Sequence, residues 1–401
     1  MVDRRADFPS LNRKYKNLPL AYFDGPGGTQ TPQKVINAIS EYYKSCNTNT
    51  HGYFITSRET DKKIENARKH MAVFLGAASQ DCISFGANMT TLNFALSKAL
   101  QRIFKSGDEI VITELDHEAN RAPWLALQDS GIIIREVRLK REGILDYADF
   151  ESKITYNTKL VAVGMASNAL GTVNDINLIR KWTKSVGAYL LVDAVHFAPH
   201  YAINVKQLDV DFLLCSAYKF YGPHVGVLYS RPGLLDKLPT DRLRTQDQNA
   251  PYKIETGTLN HAALAGVSAA VDYIASVGDG SDLRYCITDA MHKIAQYEHN
   301  LAQLFYNGLK EIKGVTVYGL PMILHKRTPT ISFFKEGKYA SDVCKYLAEK
   351  SICAWDGHYY AIRAIEVMGL LEKGGLTRIG MSLYNNEEEI NRLLNAVEQF
   401  K

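Results

Sequence analysis

The 401-residue chain lacks the marks of several protein classes. No stretch approaches the roughly 18 uninterrupted apolar residues of a membrane-spanning helix, which argues against a membrane partner. Residues Met1–Leu20 are charged and interrupted by Pro9 and Pro19, with no apolar core of a secretion signal, so the expected location is cytoplasmic. The six cysteines (Cys46, Cys82, Cys215, Cys286, Cys344 and Cys353) form no CxxC pair and no cluster. That scatter reads as free thiols in a reducing compartment, with neither a disulfide framework nor a metal site. Net charge is small, +4 from 47 basic and 43 acidic residues, and no lysine or arginine run stands out. A nucleic-acid partner is therefore not expected. There is no internal repeat and no low-complexity segment.

What remains is an ordinary globular composition, 46% hydrophobic and 22% charged, in a chain long enough for two domains. From about Gln80 to Ser230, short apolar runs alternate with amphipathic stretches. Strands are expected at Glu109–Thr113, Ile132–Val137, Leu160–Met165, Tyr189–Val192, Phe212–Cys215 and Gly226–Tyr229. Helices are expected at Thr90–Phe104, Arg121–Asp129 and Asn177–Ser185. Strands rich in Val, Ile and Leu separated by helices imply an α/β fold with a mostly parallel sheet, covered on both faces. Ligands of such sheets bind at the carboxyl ends of the strands. After about Ser281 the texture changes to a long helix (Asp289–Ile312), strands at Val315–Tyr318, Thr330–Phe334, Ile352–Trp355 and Thr377–Met381, a helix at Ala340–Lys350, and a last helix from Asn386. The expected division is a large domain over residues 18–280, and a smaller α+β domain from residues 1–17 and 281–401.

Chemistry-bearing residues cluster after the strands. Ser216-Ala217-Tyr218-Lys219-Phe220-Tyr221-Gly222-Pro223 follows an apolar strand. A lysine desolvated there has a depressed pKa and a free amine able to form a Schiff base, although a solvated surface lysine fits the motif alone. Asp193, in Leu191-Val192-Asp193-Ala194-Val195-His196, ends another apolar strand and needs a cation to be buried cheaply. The ring nitrogen of pyridoxal 5′-phosphate (PLP) is such a cation; a helix cap or a metal ligand is the other reading. Asp193 and Lys219 stand one strand–helix unit apart, which places both at neighbouring strand ends. Ser84-Phe85-Gly86-Ala87-Asn88-Met89-Thr90-Thr91 is a small-residue turn into a helix, a phosphate site or simply a capped helix start. His117 and Asn168 follow two further strands, as site residues or as structural ones.

Together these motifs resemble the fold-type I PLP enzymes, and within them the class V aminotransferase superfamily and its cysteine desulfurase/selenocysteine lyase branch. The similarity runs from Tyr22-Phe23-Asp24 to the C-terminal helix. It implies a seven-stranded, mostly parallel sheet in the large domain. It also implies that Lys219 is the Schiff-base lysine, Asp193 the pyridinium partner and His117 the ring-stacking residue. His196 and Asn168 would face the cofactor. Ser216, Tyr218 and the Asn88–Met89 turn would hold the phosphate, joined by Thr258 of a second subunit in a homodimer. Arg378 matches the arginine that clamps the substrate carboxylate. Gly27 and His51 fall in loops matching the substrate side.

One departure bears on the reaction. In this branch a mobile-loop cysteine follows an Arg-x-Gly-His-His segment; here the matching stretch is Trp355-Asp356-Gly357-His358-Tyr359-Tyr360, with Tyr360 in place of the thiol and Trp355 in place of the arginine. Cys353 lies within a strand-like run, where burial makes a thiol inert. The expectation is a PLP-dependent lyase cleaving a Cβ–S or Cβ–heteroatom bond of an amino acid. An epimerase, with Tyr359, Tyr360 or His358 as its second proton donor, or an aminotransferase on the same frame is the alternative. A non-catalytic scaffold is the minor one.

Overall fold

The computed structural model describes residues 4–400, so residues 1–3 and 401, the two ends of the expected small domain, lie outside the described residues. Seven strands form the main sheet: β1 (Ile83–Gly86), β2 (Glu109–Thr113), β3 (Ile133–Val137), β4 (Thr158–Gly164), β5 (Tyr189–Asp193), β6 (Phe212–Ser216) and β7 (Gly226–Ser230). Their spatial order is β1-β7-β6-β5-β4-β2-β3, with β7 antiparallel to both neighbours and every other pairing parallel. Strands β2, β6 and β7 are buried at every position, as continuous apolar runs require when helices cover both faces. Strand β3 at the sheet edge alternates between exposed and part-buried residues up to the buried Val137. The covering helices are capped by their own sequence. Asp175 accepts from the Leu178 N–H at 2.9 Å to start helix Ile176–Val186, and Gly187 ends it at φ +72°.

Strands β8 (Val315–Tyr318), β9 (Thr330–Lys335), β10 (Trp355–Gly357) and β11 (Leu376–Gly380) form an antiparallel sheet in the order β8-β9-β11-β10. Helices Leu283–Glu311 and Glu387–Gln399 pack beside it around a core that includes Phe305, Phe333, Ile379 and Leu393. The N-terminal segment joins in: Ala21–Tyr22 pairs in parallel with Ile352–Cys353.

Several elements differ from the sequence expectation. The single strand expected at Ile352–Trp355 divides at Ala354, because its two halves bond different partners: Ala21–Tyr22 on one side and β11 on the other. Ser84–Gly86, expected as part of a turn, is the end of β1, bonded to β7. The helix expected at Arg121–Asp129 is α-helical only over Ala122–Leu125 and continues as a tighter 3₁₀ turn to Ser130. Helices Gln33–Ser45, Ile55–Leu75 and His261–Ala275 were not expected. The last is buried almost all round, so it shows no polar stripe to read. Among the described residues, no helix is long and apolar enough to cross a membrane.

Candidate active site

The carboxyl ends of β2, β4, β5 and β6 open into one cavity with two connected chambers. The inner chamber, about 80 Å³, is lined by Asn88, Met89, His117, Asn168, Asp193, His196, Ser216, Tyr218 and Lys219. These are residues that the sequence motifs singled out, brought together by parallel strands that all end on the same side. The outer chamber, about 590 Å³, shares His117, Asn168, Tyr218 and Lys219 and adds Gly27, Tyr360 and Arg378.

Desolvation dominates the electrostatics. Lys219 is buried, and burial together with the nearby Arg378 pushes its amine down to about 7. Its Nζ donates to the Pro26 carbonyl and lies 5.0 Å from the centre of the Tyr218 ring. Burial lifts Asp193 to about 6, against the pull of the Val195 N–H that it accepts at 2.9 Å. His117 is pushed down to about 4 by burial, with Lys219 and Arg378 adding to the effect, so its ring is neutral. Its Nδ1 accepts the Ala119 N–H at 3.0 Å, which leaves the proton on Nε2.

His196 is also held well below its usual range, again by burial first. Its Nε2 meets the hydroxyls of Thr330 (3.0 Å) and Thr328 (3.2 Å), while Nδ1 is buried without a partner. Arg378 is fixed on two sides: Nη1 donates to the Asn168 carbonyl at 3.1 Å and Nη2 to Asp24 Oδ1 at 2.8 Å. Asn168 in turn donates to the Tyr359 carbonyl at 2.8 Å.

The PLP implied by the resemblance fits this donor set. Among the described residues no cation bonds the buried carboxylate of Asp193, which would gain one from a protonated ring nitrogen. The Met89 and Thr90 amides begin helix Met89–Gln101, and the Met89 N–H already meets Ser216 Oγ at 3.2 Å, a hydroxyl-and-amide corner suited to a phosphate. Lys219 supplies the desolvated amine, and His196 Nδ1 an unsatisfied polar atom beside it.

Two sequence candidates lie elsewhere. The His51 side chain is 85% exposed, in a turn whose backbone N–H bonds Asp61, and lines neither chamber of its own chain. Thr258 is exposed beside Gly257 (φ +80°) and also lines neither. Sequence reasoning gave Asp24, Asp116 and Phe94 no place in the site and noted Trp355 only as the replacement of an arginine, yet all four line the cavity. Asp116, lifted to about 7 by burial, had the signal of standing next to His117 at a strand end.

Comparison with known proteins agrees with this architecture. The sequence pattern of the aminotransferase class-V family matches residues 21–393. A protein named cysteine desulfurase from Yersinia pseudotuberculosis is 32% identical, over 99% of this chain and 97% of its own. The apo structure of cysteine desulfurase from Thermococcus onnurineus superposes with a TM-score of 0.88 at 32% identity, covering 100% of this chain and 98% of that one. A cysteine desulfurase from Escherichia coli, in its S-sulfonic acid form, gives 0.85 at 26% identity, over 98% and 96%. This chain belongs to the class V aminotransferase family, as a PLP-dependent enzyme of the cysteine desulfurase-like group.

Proposed function

We propose that this enzyme is a lyase that cleaves the Cβ–S bond of an S-substituted amino acid, releasing a thiol without a protein persulfide. The observation that carries the reading is the position of the thiols: none of the six cysteines lines either chamber. Cys353 borders an adjoining hollow, which meets the outer chamber at Asp24 and Trp355, and burial raises its pKa. Cys344 is pushed up to about 12 by burial. Thiols so protonated are poor nucleophiles, so the sulfur chemistry falls to the substrate.

The roles follow from the residues. Arg378 orients the substrate carboxylate with its guanidinium fork, and Asn168 keeps that fork in place. Asp193 holds a proton at the cofactor ring nitrogen, while the Asn88–Met89 turn, Ser216 and Tyr218 hold the phosphate. When bound, PLP supplies an electron sink for the charge that develops at the substrate Cα. Lys219 Nζ, free as an amine above about pH 7, takes the Cα proton as general base. The substituted sulfur then leaves Cβ with the bonding pair and takes up a proton to become the thiol. After hydrolysis the rest of the substrate is pyruvate and ammonia. Thr258 of a second copy would add to the phosphate site in a homodimer, and its exposed turn suits that role.

Product analysis with S-substituted cysteines tests the reading: thiol, pyruvate and ammonia are expected in equal amounts. Recovery of unchanged substrate, or of alanine with sulfur retained on the protein, would overturn it.

One observation favours epimerisation as a second reading. Of the three candidate second donors, Tyr359 is tied through its hydroxyl to the Leu376 carbonyl, and His358 Nδ1 accepts the Tyr360 N–H at 3.2 Å. Tyr360 lines the outer chamber with its ring centre 5.7 Å from that of His117. Solvent deuterium entering Cα without loss of substrate would select this reading.

A further inference from the structure

We infer that the outer chamber is a subsite for a bulky, uncharged aromatic substituent on the substrate sulfur, walled by Phe94, Trp355 and Tyr360. The inference rests on the Cβ–S lyase reading for which atom carries the substituent. The walls are argued from their own geometry.

The chamber, about 590 Å³, falls in the range of roughly 300–1,000 Å³ typical of pockets that enclose drug-sized ligands. Three large aromatic side chains line it while exposed, at 38% for Phe94, 53% for Trp355 and 66% for Tyr360. Exposed aromatics gathered around one concavity mark a site that binds apolar surface.

Their placement relative to the chemistry is fixed by the backbone. Trp355 is the register partner of Arg378 across β10 and β11, so indole and guanidinium leave the same face of the sheet side by side. Tyr359 and Tyr360 are consecutive non-glycine residues in the left-handed region, at φ +53° and +58°. Side chains there cost conformational energy, which must be offset by surrounding contacts. Those contacts are visible: the Glu118 N–H donates to the Tyr360 carbonyl at 2.7 Å, and Asn168 to the Tyr359 carbonyl. Both straps come from the loops that carry His117 and Asn168, so the strained turn sets the Tyr360 wall against the reacting centre.

The charges of this chain's lining favour an uncharged substituent. Among the described residues of this chain, Lys219 and Arg378 are the only lysine or arginine lining the chamber, and Arg378 already bonds Asp24. Asp24 is taken up by Arg378, and Glu118 faces Arg121 at 3.3 Å, so both acids of the lining are paired as well. A second carboxylate or a phosphate on the substituent would find every arginine and acid of this lining already paired, and would be desolvated there without a partner of its own.

The test compares S-benzyl-, S-methyl- and S-carboxymethyl-L-cysteine on the holoenzyme. It reads KM and kcat for thiol release together with a Kd from the spectral change on mixing. S-benzylcysteine is expected to bind at least about ten-fold more tightly than S-methylcysteine, and S-carboxymethylcysteine most weakly. Phe94→Ala and Trp355→Ala should each cut the benzyl-over-methyl preference several-fold. Trp355→Phe should restore most of it, which separates lost aromatic surface from misfolding. Equal Kd values for benzyl and methyl substrates, or a preference insensitive to these variants, would overturn the subsite. If S-methylcysteine is cleaved but no preference exists, the lyase reading stands and the subsite falls. If no substrate releases thiol while the Kd preference holds, the reverse is true.

Discussion

Asp24 Oδ1 lies 2.8 Å from Arg378 Nη2, and the two side chains are only 12% and 4% exposed, so the arginine expected to hold the substrate carboxylate is already paired in the folded protein. An incoming carboxylate must share this guanidinium with a resident anion. Removing one partner of a buried pair leaves the other charge uncompensated, at a cost of about 3–5 kcal/mol. Asp24→Ala is therefore expected to lower the unfolding temperature of the ligand-free enzyme clearly. An amino-acid ligand should recover more of that loss than it adds to the wild type. Thermal unfolding with and without ligand checks this, and an equal ligand shift in both proteins would contradict the pairing argument.

Lys219 gives a pH dependence with a definite sign. Burial, aided by Arg378, holds its amine near about 7, well under the ordinary 10.5. The reactive unprotonated form is therefore abundant above about pH 7 and declines below it. The rate at which apoenzyme takes up PLP covalently should rise with pH through about 7 and then level off. Lys219→Ala should abolish the borohydride-reducible visible band altogether. Stopped-flow absorbance between pH 5.5 and 9 would show the rise; a midpoint near 10 would refute desolvation as the cause.

Gly226 lies where β7 passes the Asn88–Met89 turn, the proposed phosphate site. A Cβ added there would come within 2.3–2.8 Å of the Asn88 backbone atoms, closer than real contacts allow. Backbone cannot swing aside as a side chain can, so Gly226→Ala should displace the Asn88–Met89 turn. The expected outcome is PLP affinity reduced by at least an order of magnitude in a folded protein. Titration of the visible band with PLP, beside a circular dichroism spectrum, measures both.

Glu255 ties the loop before Thr258 to the sheet. Its carboxylate receives both Arg68 Nη atoms, at 2.7 and 2.6 Å, and the Phe85 N–H at 2.6 Å. All three groups are buried, so Glu255→Ala should cost about 3–5 kcal/mol. If Thr258 serves a second subunit's phosphate site, the same variant should also weaken PLP retention. Denaturant unfolding and dialysis against PLP-free buffer read the two effects separately.

Much of this site could be read in the chain because its parts are local. Apolar runs each ending in a polar residue define strand ends, and parallel strands must deliver those ends to one side. Lys219, Asp193, His117, Asn168 and Ser216 therefore meet in one chamber, as expected. Arg378 joins them from the second sheet, where resemblance and not spacing had pointed to it. The sequence by itself also determined the family, since its motifs recur in order along nearly the whole chain.

Other features had no local signal. Helix His261–Ala275 is small-residued and buried on nearly all sides, so no stripe marks it. The strand after Lys350 reads as one apolar run, and its division at Ala354 is decided by two partners far away in sequence, Ala21–Tyr22 and Leu376–Gly380. That division brings Trp355 beside Arg378 and leaves Cys353 outside the chambers. Likewise the Asp24–Arg378 pair and the straps on Tyr359 and Tyr360 join segments hundreds of residues apart. Periodicity and propensity act over a few neighbours, whereas pairing across sheets is chosen by the whole folded chain. The sequence determined which chemistry is present; only the tertiary structure decided what surrounds it.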